Sequence, residues 1–118
     1  MRLTALLLMA GCSSPVAPIG TEPMVPRTEY IAWMAQVMTC MGQSPLDAPG
    51  RVGAIEWQTT PRFLSSPDKI VWGTWDKPGT ITLRKDVVAD RNIVKHEMVH
   101  DRLRGDPKHK DPLWRCAA

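Results

Sequence analysis

The residues best suited to chemistry in this 118-residue chain are His96, Glu97 and His100, which form an H-E-x-x-H pattern. Two histidines four positions apart on a helix project from one face, so both imidazoles can bind the same metal ion. Glu97 lies about 100° further around such a helix. From there its carboxylate can accept a proton beside the metal without being a ligand itself. The pattern therefore predicts a zinc site with a nearby base.

A catalytic zinc ion needs three protein ligands and one open position. His109, the one remaining histidine, follows His100 by nine residues and comes just after the turn at residues 105–107, which could return the chain to the metal. The rival third ligands are Asp101, Asp106 and Asp111. Because Asp101 points largely to another face of the helix, a structural role is expected for it. A His109 that is exposed to solvent in its loop is the other alternative.

Residues 1–11 have the order of an export signal: a positively charged start, an apolar stretch and then small residues. The stretch is too short to span a bilayer. Met9-Ala10-Gly11-Cys12 resembles the lipobox of bacterial lipoproteins, in which the cysteine is lipidated and becomes the first residue. The resemblance implies a signal peptide over 1–11 and a lipid anchor on Cys12 in the bacterial envelope. Ser13 favours the outer membrane, with the protein facing the periplasm.

Export leaves Cys40 and Cys116 as the cysteines of the folded part of the chain. In an oxidising compartment they can form a disulfide. A bridge that closes a loop of about 75 residues would stabilise the fold by roughly 4 kcal/mol, through the entropy lost by the unfolded chain. It would also hold the C-terminal segment beside the first helix. Two buried free thiols are the alternative.

Two helices are predicted in the domain, which is expected to span 28–118. Residues 12–27 are rich in proline and are interpreted as a flexible, lipid-anchored linker. Apolar residues recur at helical spacing from Thr28, the expected N-cap, to Gly42, the expected stop. The helix that contains the metal motif starts near residue 86 or 91 and ends at residue 105. Apolar residues on both of its sides indicate that it is buried.

Three segments between the helices have the composition of strands. They follow a predicted loop at 43–50 and cover 52–58, 69–75 and 79–84. The last two are expected to form a hairpin. The tryptophans in these strands are expected to pack in the core, although one could line a cleft: Trp57, Trp72 and Trp75. The predicted class is α+β, with an N-terminal helix, a short antiparallel sheet and a C-terminal helix that contains the site.

The composition is that of a single globular domain, with 43% hydrophobic and 23% charged residues. The net charge of +3 is spread among interleaved acidic and basic residues. No run of like charge is long enough for a nucleic-acid tail, so nucleic acid is not expected as a partner. The basic balance allows weak attraction to anionic headgroups or cell-wall polymers. The oligomeric state is not predicted.

The segment from His96 to Trp114 resembles the zincin metallopeptidases. Its spacing, in which a third histidine and then an aromatic residue follow the motif, is similar to the SprT-like pattern. The resemblance covers about 20 residues. The glycine and third histidine of the metzincin pattern are missing at their positions. The nine residues after His109 leave no room for the second-helix glutamate of thermolysin-like enzymes.

The resemblance implies a zinc-dependent peptidase in which Glu97 transfers a proton from zinc-activated water to the leaving amine. The implied zinc ligands are His96, His100 and His109. A peptide or cell-wall peptide is the implied substrate, held by the strand at 79–84 in the position of the zincin edge strand. The candidates for stabilising the oxyanion are Tyr30, Arg102 and Arg104. The alternative function is a non-catalytic binding or structural lipoprotein, which zinc could stabilise.

Overall fold

The computed structural model describes residues 20–61, 64–66 and 69–118, and for 64–66, 69 and 70 it describes the backbone alone. The expected signal peptide, the expected lipidation site at Cys12 and the expected linker up to residue 19 lie outside the described residues. Within the described part of the chain, no helix has the length and apolar character needed to cross a membrane.

Two longer helices form where the sequence predicts them. Helix α1 covers Glu29–Cys40, directly after Thr28, although the Thr28 side chain does not cap it. The helix that contains the metal motif covers Arg91–Leu103, so the later of its two expected starts is the observed one. Its N-terminus is set by Asp90, whose carboxylate accepts a hydrogen bond from the main-chain N–H of Ile93 at 3.1 Å.

A further helix, α2, covers Ala48–Ala54, where a loop at 43–50 and a strand from residue 52 were predicted. That prediction is wrong for local reasons. The Ser44 hydroxyl accepts a hydrogen bond from Leu46 N and starts a short 3-10 turn, and proline occupies an early position of both the turn and α2. Proline is favoured in the first turn of a helix, because its missing N–H has no helical partner there. The helix at Arg91–Leu103 is therefore α3.

The main sheet has four strands in the order β1-β2-β6-β5. They are β1 (Glu22–Pro23), β2 (Glu56–Thr60), β5 (Gly73–Asp76) and β6 (Thr80–Arg84). A separate antiparallel pair consists of β3 (Leu64–Ser66) and β4 (Lys69–Val71). The segment predicted as one strand at 69–75 therefore contains two strands that belong to different sheets. Short 3-10 helices follow β6 and α3, at Lys85–Val87 and Pro112–Ala117.

The α+β class is confirmed, but the sheet is mixed. Strands β5 and β6 form the expected antiparallel hairpin. Strands β2 and β6, however, run parallel, with Trp57 opposite Ile81. Parallel neighbours need a long crossover, and the chain between β2 and β6 provides one. The prediction of an antiparallel sheet is therefore wrong at this pair, because strand periodicity contains no information about strand direction.

The edge strand beside α3 is β5, not β6. Strand β6 is paired on both sides, and its residues Ile81, Thr82 and Leu83 are buried in succession, as in a central strand. The expectation that residues 79–84 form the edge is therefore wrong. At the other edge, β1 lies within the segment interpreted as linker, where Pro23 is tolerated because an edge strand leaves some N–H positions unpaired.

The predicted disulfide is confirmed. The sulfur atoms of Cys40 and Cys116 are 1.93 Å apart and their Cα atoms are 5.6 Å apart. The bridge joins the last residue of α1 to the C-terminal 3-10 helix. It holds the segment around residues 112–117 against the helical side of the core.

Replacing both Cys40 and Cys116 by alanine should lower the free energy of unfolding by up to about 4 kcal/mol, because the unfolded chain regains the entropy of a long loop. Urea denaturation monitored by circular dichroism would measure the change. The matched control is Cys12→Ala, which should leave the unfolding free energy unaltered. Equal stability of the double variant and the parent would contradict a stabilising bridge.

Candidate metal centre

The three histidines of the chain meet at the C-terminal end of α3. His96 and His100 lie on the helix, and His109 lies in the loop that follows it. One ring nitrogen from each residue lies within 4.8 Å of the other two, and the Nε2 atoms of His96 and His109 are 3.1 Å apart. The grouping predicted from the sequence is therefore present, as a set of three histidines that could hold a metal ion.

His100 is oriented by the main chain. Its Nδ1 atom is 2.7 Å from the carbonyl oxygen of Gly105 and donates a hydrogen bond to it. This bond places the ring proton on Nδ1, so the lone pair of Nε2 is available for a metal. A hydrogen bond from the non-ligating nitrogen is the usual means of fixing the tautomer of a metal-binding histidine.

A strained turn brings His109 back toward the helix. Arg104, Asp106 and His109 all have left-handed backbone conformations, with φ of 59°, 64° and 56°. Such conformations are costly for residues with a Cβ atom and persist only where the surroundings hold them. The Asp106 carboxylate supplies much of this support, because its Oδ2 accepts hydrogen bonds from Asp111 N at 2.9 Å and from Trp114 Nε1 at 2.7 Å.

The indole of Trp114 packs against all three imidazoles. Its ring centroid is 4.8 Å from that of His96, 4.6 Å from that of His100 and 4.5 Å from that of His109. Aromatic rings at these separations attract one another and restrict rotation of the side chains. The sequence placed an aromatic residue after the third histidine, but no sequence signal indicated that it would contact the whole histidine group.

The three aspartates considered as rival ligands have other partners. Asp101 is buried and its Oδ1 accepts a hydrogen bond from Trp75 Nε1 at 2.9 Å, which ties α3 to β5. Asp106 supports the turn, and Asp111 caps the last 3-10 helix by accepting from Leu113 N at 2.8 Å. Within the described residues, the set of groups that could hold a metal is made of histidines alone.

Glu97 lies buried between α3 and β5. It is 4% exposed, and its Oε1 atom has no hydrogen-bond partner among the described residues. Gly73 of β5 covers it closely, since a Cβ atom there would lie 3.2 Å from Glu97 Cγ. Burial, followed by the negative charge of Asp76, raises the pKa of Glu97 to about 8. A buried carboxyl with a free oxygen is costly and is typical of a functional group.

The imidazoles of His96 and His100 are held in the neutral form that binds metals. Burial, with smaller effects from the charges of His100 and His109, lowers the pKa of His96 to about 4. Burial also lowers the pKa of His100, partly opposed by its hydrogen bond to Gly105. At neutral pH these two rings therefore have no proton to release before a metal binds.

A cleft of about 760 Å³ opens over the histidines and Glu97, with β5 on one side and α3 on the other. Its apolar wall includes Val71, Trp72, Trp75, Ile93 and Pro107. Trp72 is 51% exposed, with the Arg84 guanidinium 4.3 Å from its ring centroid. Two of the three strand tryptophans thus line the cleft, and Trp57 is in the core. Ile93 lies one helical turn before Glu97, so helix periodicity could have identified it as a residue of the cleft.

None of the three candidate oxyanion donors lines the cleft. Tyr30 is fully buried, packs against Trp57 and donates its hydroxyl to the Val88 carbonyl, so it is a core residue. Arg102 and Arg104 line a different cavity. The lysine that does line the cleft is Lys77, in the turn after β5, and no sequence pattern indicated a role for it.

No protein-family model matches this chain, and no curated protein and no solved structure matches it either.

Proposed function

We propose that this chain is a zinc-dependent peptidase in which Glu97 is the base. Its metal ligands are His96, His100 and His109. The convergence of three imidazoles beside a buried carboxyl with a free oxygen, in an open cleft, is the observation that supports this function most strongly. Three nitrogen ligands with a fourth position open are characteristic of catalytic zinc. Imidazole ligands also favour zinc over magnesium or calcium.

The chemistry follows from the position of Glu97. Zinc held by the three histidines would supply Lewis acidity toward the scissile carbonyl and toward a water molecule. Glu97 takes a proton from the attacking water and passes it to the nitrogen of the leaving amine. Without a metal, burial holds the pKa of Glu97 at about 8, so at neutral pH this carboxyl is mostly protonated. A positive charge at the histidines lowers this pKa and favours the carboxylate that accepts the proton.

A peptide or cell-wall peptide is the proposed substrate. In the described part of the chain, β5 pairs with β6 on one side only, and all of its residues line the cleft. An extended peptide can therefore add to this edge through main-chain hydrogen bonds. The apolar surfaces of Trp72 and Ile93 are available to its side chains.

The proposed location is the bacterial cell envelope. Lipidation of Cys12 would anchor the protein, with the outer membrane favoured and the folded domain facing the periplasm. The Cys40–Cys116 bridge supports this location, because disulfides persist in oxidising compartments and are rare in the cytosol.

A second candidate is a non-catalytic binding or structural lipoprotein that uses zinc for stability. It is favoured by the position of His109, which lies outside α3 in a turn of left-handed residues. A metal bound by all three histidines would join this turn to the helix. The binding energy would then contribute to folding.

Replacing His109 by alanine should weaken zinc binding by at least about 100-fold, since losing a ligand exceeds the roughly 10- to 100-fold effect of losing a group that only orients one. Competition with a chelator of known affinity would measure the change. Lys108→Ala, one residue away, should bind zinc like the parent. An unaltered affinity in the His109 variant would remove this residue from the site.

Glu97→Gln should retain zinc but reduce the rate of peptide hydrolysis by at least about 100-fold, because the amide cannot accept the proton of water. Metal analysis and a peptide library read by mass spectrometry would measure the two properties. Glu56→Gln, at an exposed carboxylate on β2, is the matched control. Hydrolysis by Glu97→Gln at the parent rate would contradict the proposed base.

Zinc at about 100 times its Kd should stabilise the folded chain by about 2.7 kcal/mol through mass action. Differential scanning calorimetry with zinc and with a chelator would measure the rise in melting temperature. His96→Ala should lose most of this response. A zinc-dependent rise without hydrolysis of any peptide would favour the second candidate, and an unchanged melting temperature would argue against a zinc site.

A further inference from the structure

A second cavity, of about 410 Å³, is lined by three arginines. Arg51 comes from α2, Arg102 from the end of α3, and Arg104 from the turn that follows α3. The single carboxylate that lines the cavity is that of Asp101. Three positive charges against one negative charge leave two positive charges without compensation. The hydrogen bond between Trp75, which lines the cleft, and Asp101 separates this cavity from the cleft.

Asp101 cannot neutralise the cavity by itself. Its side chain is 5% exposed, and its Oδ1 atom already accepts from Trp75 Nε1 at 2.9 Å and from Arg104 Nη1 at 3.3 Å. Its Oδ2 atom is 3.9 Å from Arg102 Nη1, which is beyond hydrogen-bond distance.

Arg102 and Arg104 are held in place largely by neutral groups. Arg102 Nε donates to the Gln43 side chain at 3.0 Å. Arg104 donates to the Pro78 carbonyl, and its guanidinium lies 5.3 Å from the Trp75 ring centroid. These contacts fix the positions of the guanidiniums without removing their charge. A ligand would therefore meet two guanidiniums, those of Arg102 and Arg104, that are already ordered, which reduces the entropy cost of binding.

Arg102 has unused donors although its side chain is 13% exposed. In the described part of the chain, no acceptor lies within hydrogen-bond distance of its terminal N–H groups, and Arg51 has no hydrogen-bond or ion-pair partner. Arg102 lines the cavity together with Arg51 and Arg104. A partly buried cation next to like charge is unfavourable unless an anion joins it.

We propose that Arg51, Arg102 and Arg104 form a binding site for a phosphate group, either inorganic phosphate or a phosphate monoester. The two uncompensated charges match the charge of about −1.5 to −2 of a phosphate monoester at neutral pH. The planar guanidinium fork matches two phosphate oxygens at once. The site is separate from the histidine cleft and does not depend on the proposed peptidase activity.

Isothermal titration calorimetry on the full chain, with metal removed by a chelator and ionic strength held constant with chloride, tests the site. Inorganic phosphate and glycerol phosphate are the two probes. One equivalent of phosphate should bind, and Arg51→Gln, at an exposed residue, should weaken binding by at least about tenfold, as expected for a charge-assisted hydrogen bond. Arg102→Gln should do the same. Tighter binding of glycerol phosphate would identify a monoester as the ligand, and equal or weaker binding would identify inorganic phosphate.

Two control variants separate this site from other sources of binding. Arg115→Gln removes an exposed guanidinium from the C-terminal 3-10 helix and should leave phosphate affinity unaltered. His109→Ala should also leave it unaltered, because the histidines are outside the cavity. The proposal is overturned if neither probe binds, if Arg51→Gln and Arg102→Gln bind phosphate like the parent, or if His109→Ala abolishes binding.

Discussion

The carboxylate of Asp106 accepts hydrogen bonds from the main chain at Asp111 and from the indole of Trp114, and the histidine group depends on this pair of bonds. They hold the chain in the left-handed turn that returns it to α3 after the helix ends. These bonds therefore keep His109 close to His96, with the Nε2 atoms of the two rings 3.1 Å apart. The same bonds orient Trp114, whose ring packs on all three imidazoles. The disulfide at Cys116 then holds this segment to α1.

The contact between α3 and β5 determines the properties of the rest of the site. Gly73 allows the strand to lie against Glu97, and this close packing removes water from the carboxyl and raises its pKa. Farther along, Trp75 and Asp101 join the same two elements by a hydrogen bond. Strand β5 therefore covers the buried carboxyl and also forms one wall of the open cleft. A side chain at position 73 would have to displace Glu97 or Leu83.

The end of α3 presents different charges on its two sides. Neutral histidines and a buried carboxyl face the cleft, whereas Arg102 and Arg104 face the cavity beyond the Trp75–Asp101 hydrogen bond. Helical geometry explains the separation, since residues two positions apart point in opposite directions while residues four apart share a face. His100 and Arg102 differ by two positions, and His96 and His100 by four. One helix can therefore contribute to two cavities of unlike chemistry.

The sequence by itself determined the features that depend on local periodicity and residue type. The spacing of His96 and His100 requires a shared helical face, the apolar repeat after Thr28 predicts α1, and the turn after residue 104 indicates a return of the chain. The pairing of Cys40 with Cys116 also followed, because few cysteines remain once Cys12 is assigned to the anchor. These inferences need no knowledge of which elements are neighbours.

Only the tertiary structure decided which strand lies beside the site and what each charged side chain contacts. Strand direction and order depend on long-range pairing, so the parallel β2–β6 pair and the position of β5 at the edge could not be read from alternation along the chain. Whether Asp101 binds a metal or an indole likewise depends on β5. Arg51 is distant in sequence from Arg102 and Arg104, and the three meet because α2 and the end of α3 line the same cavity.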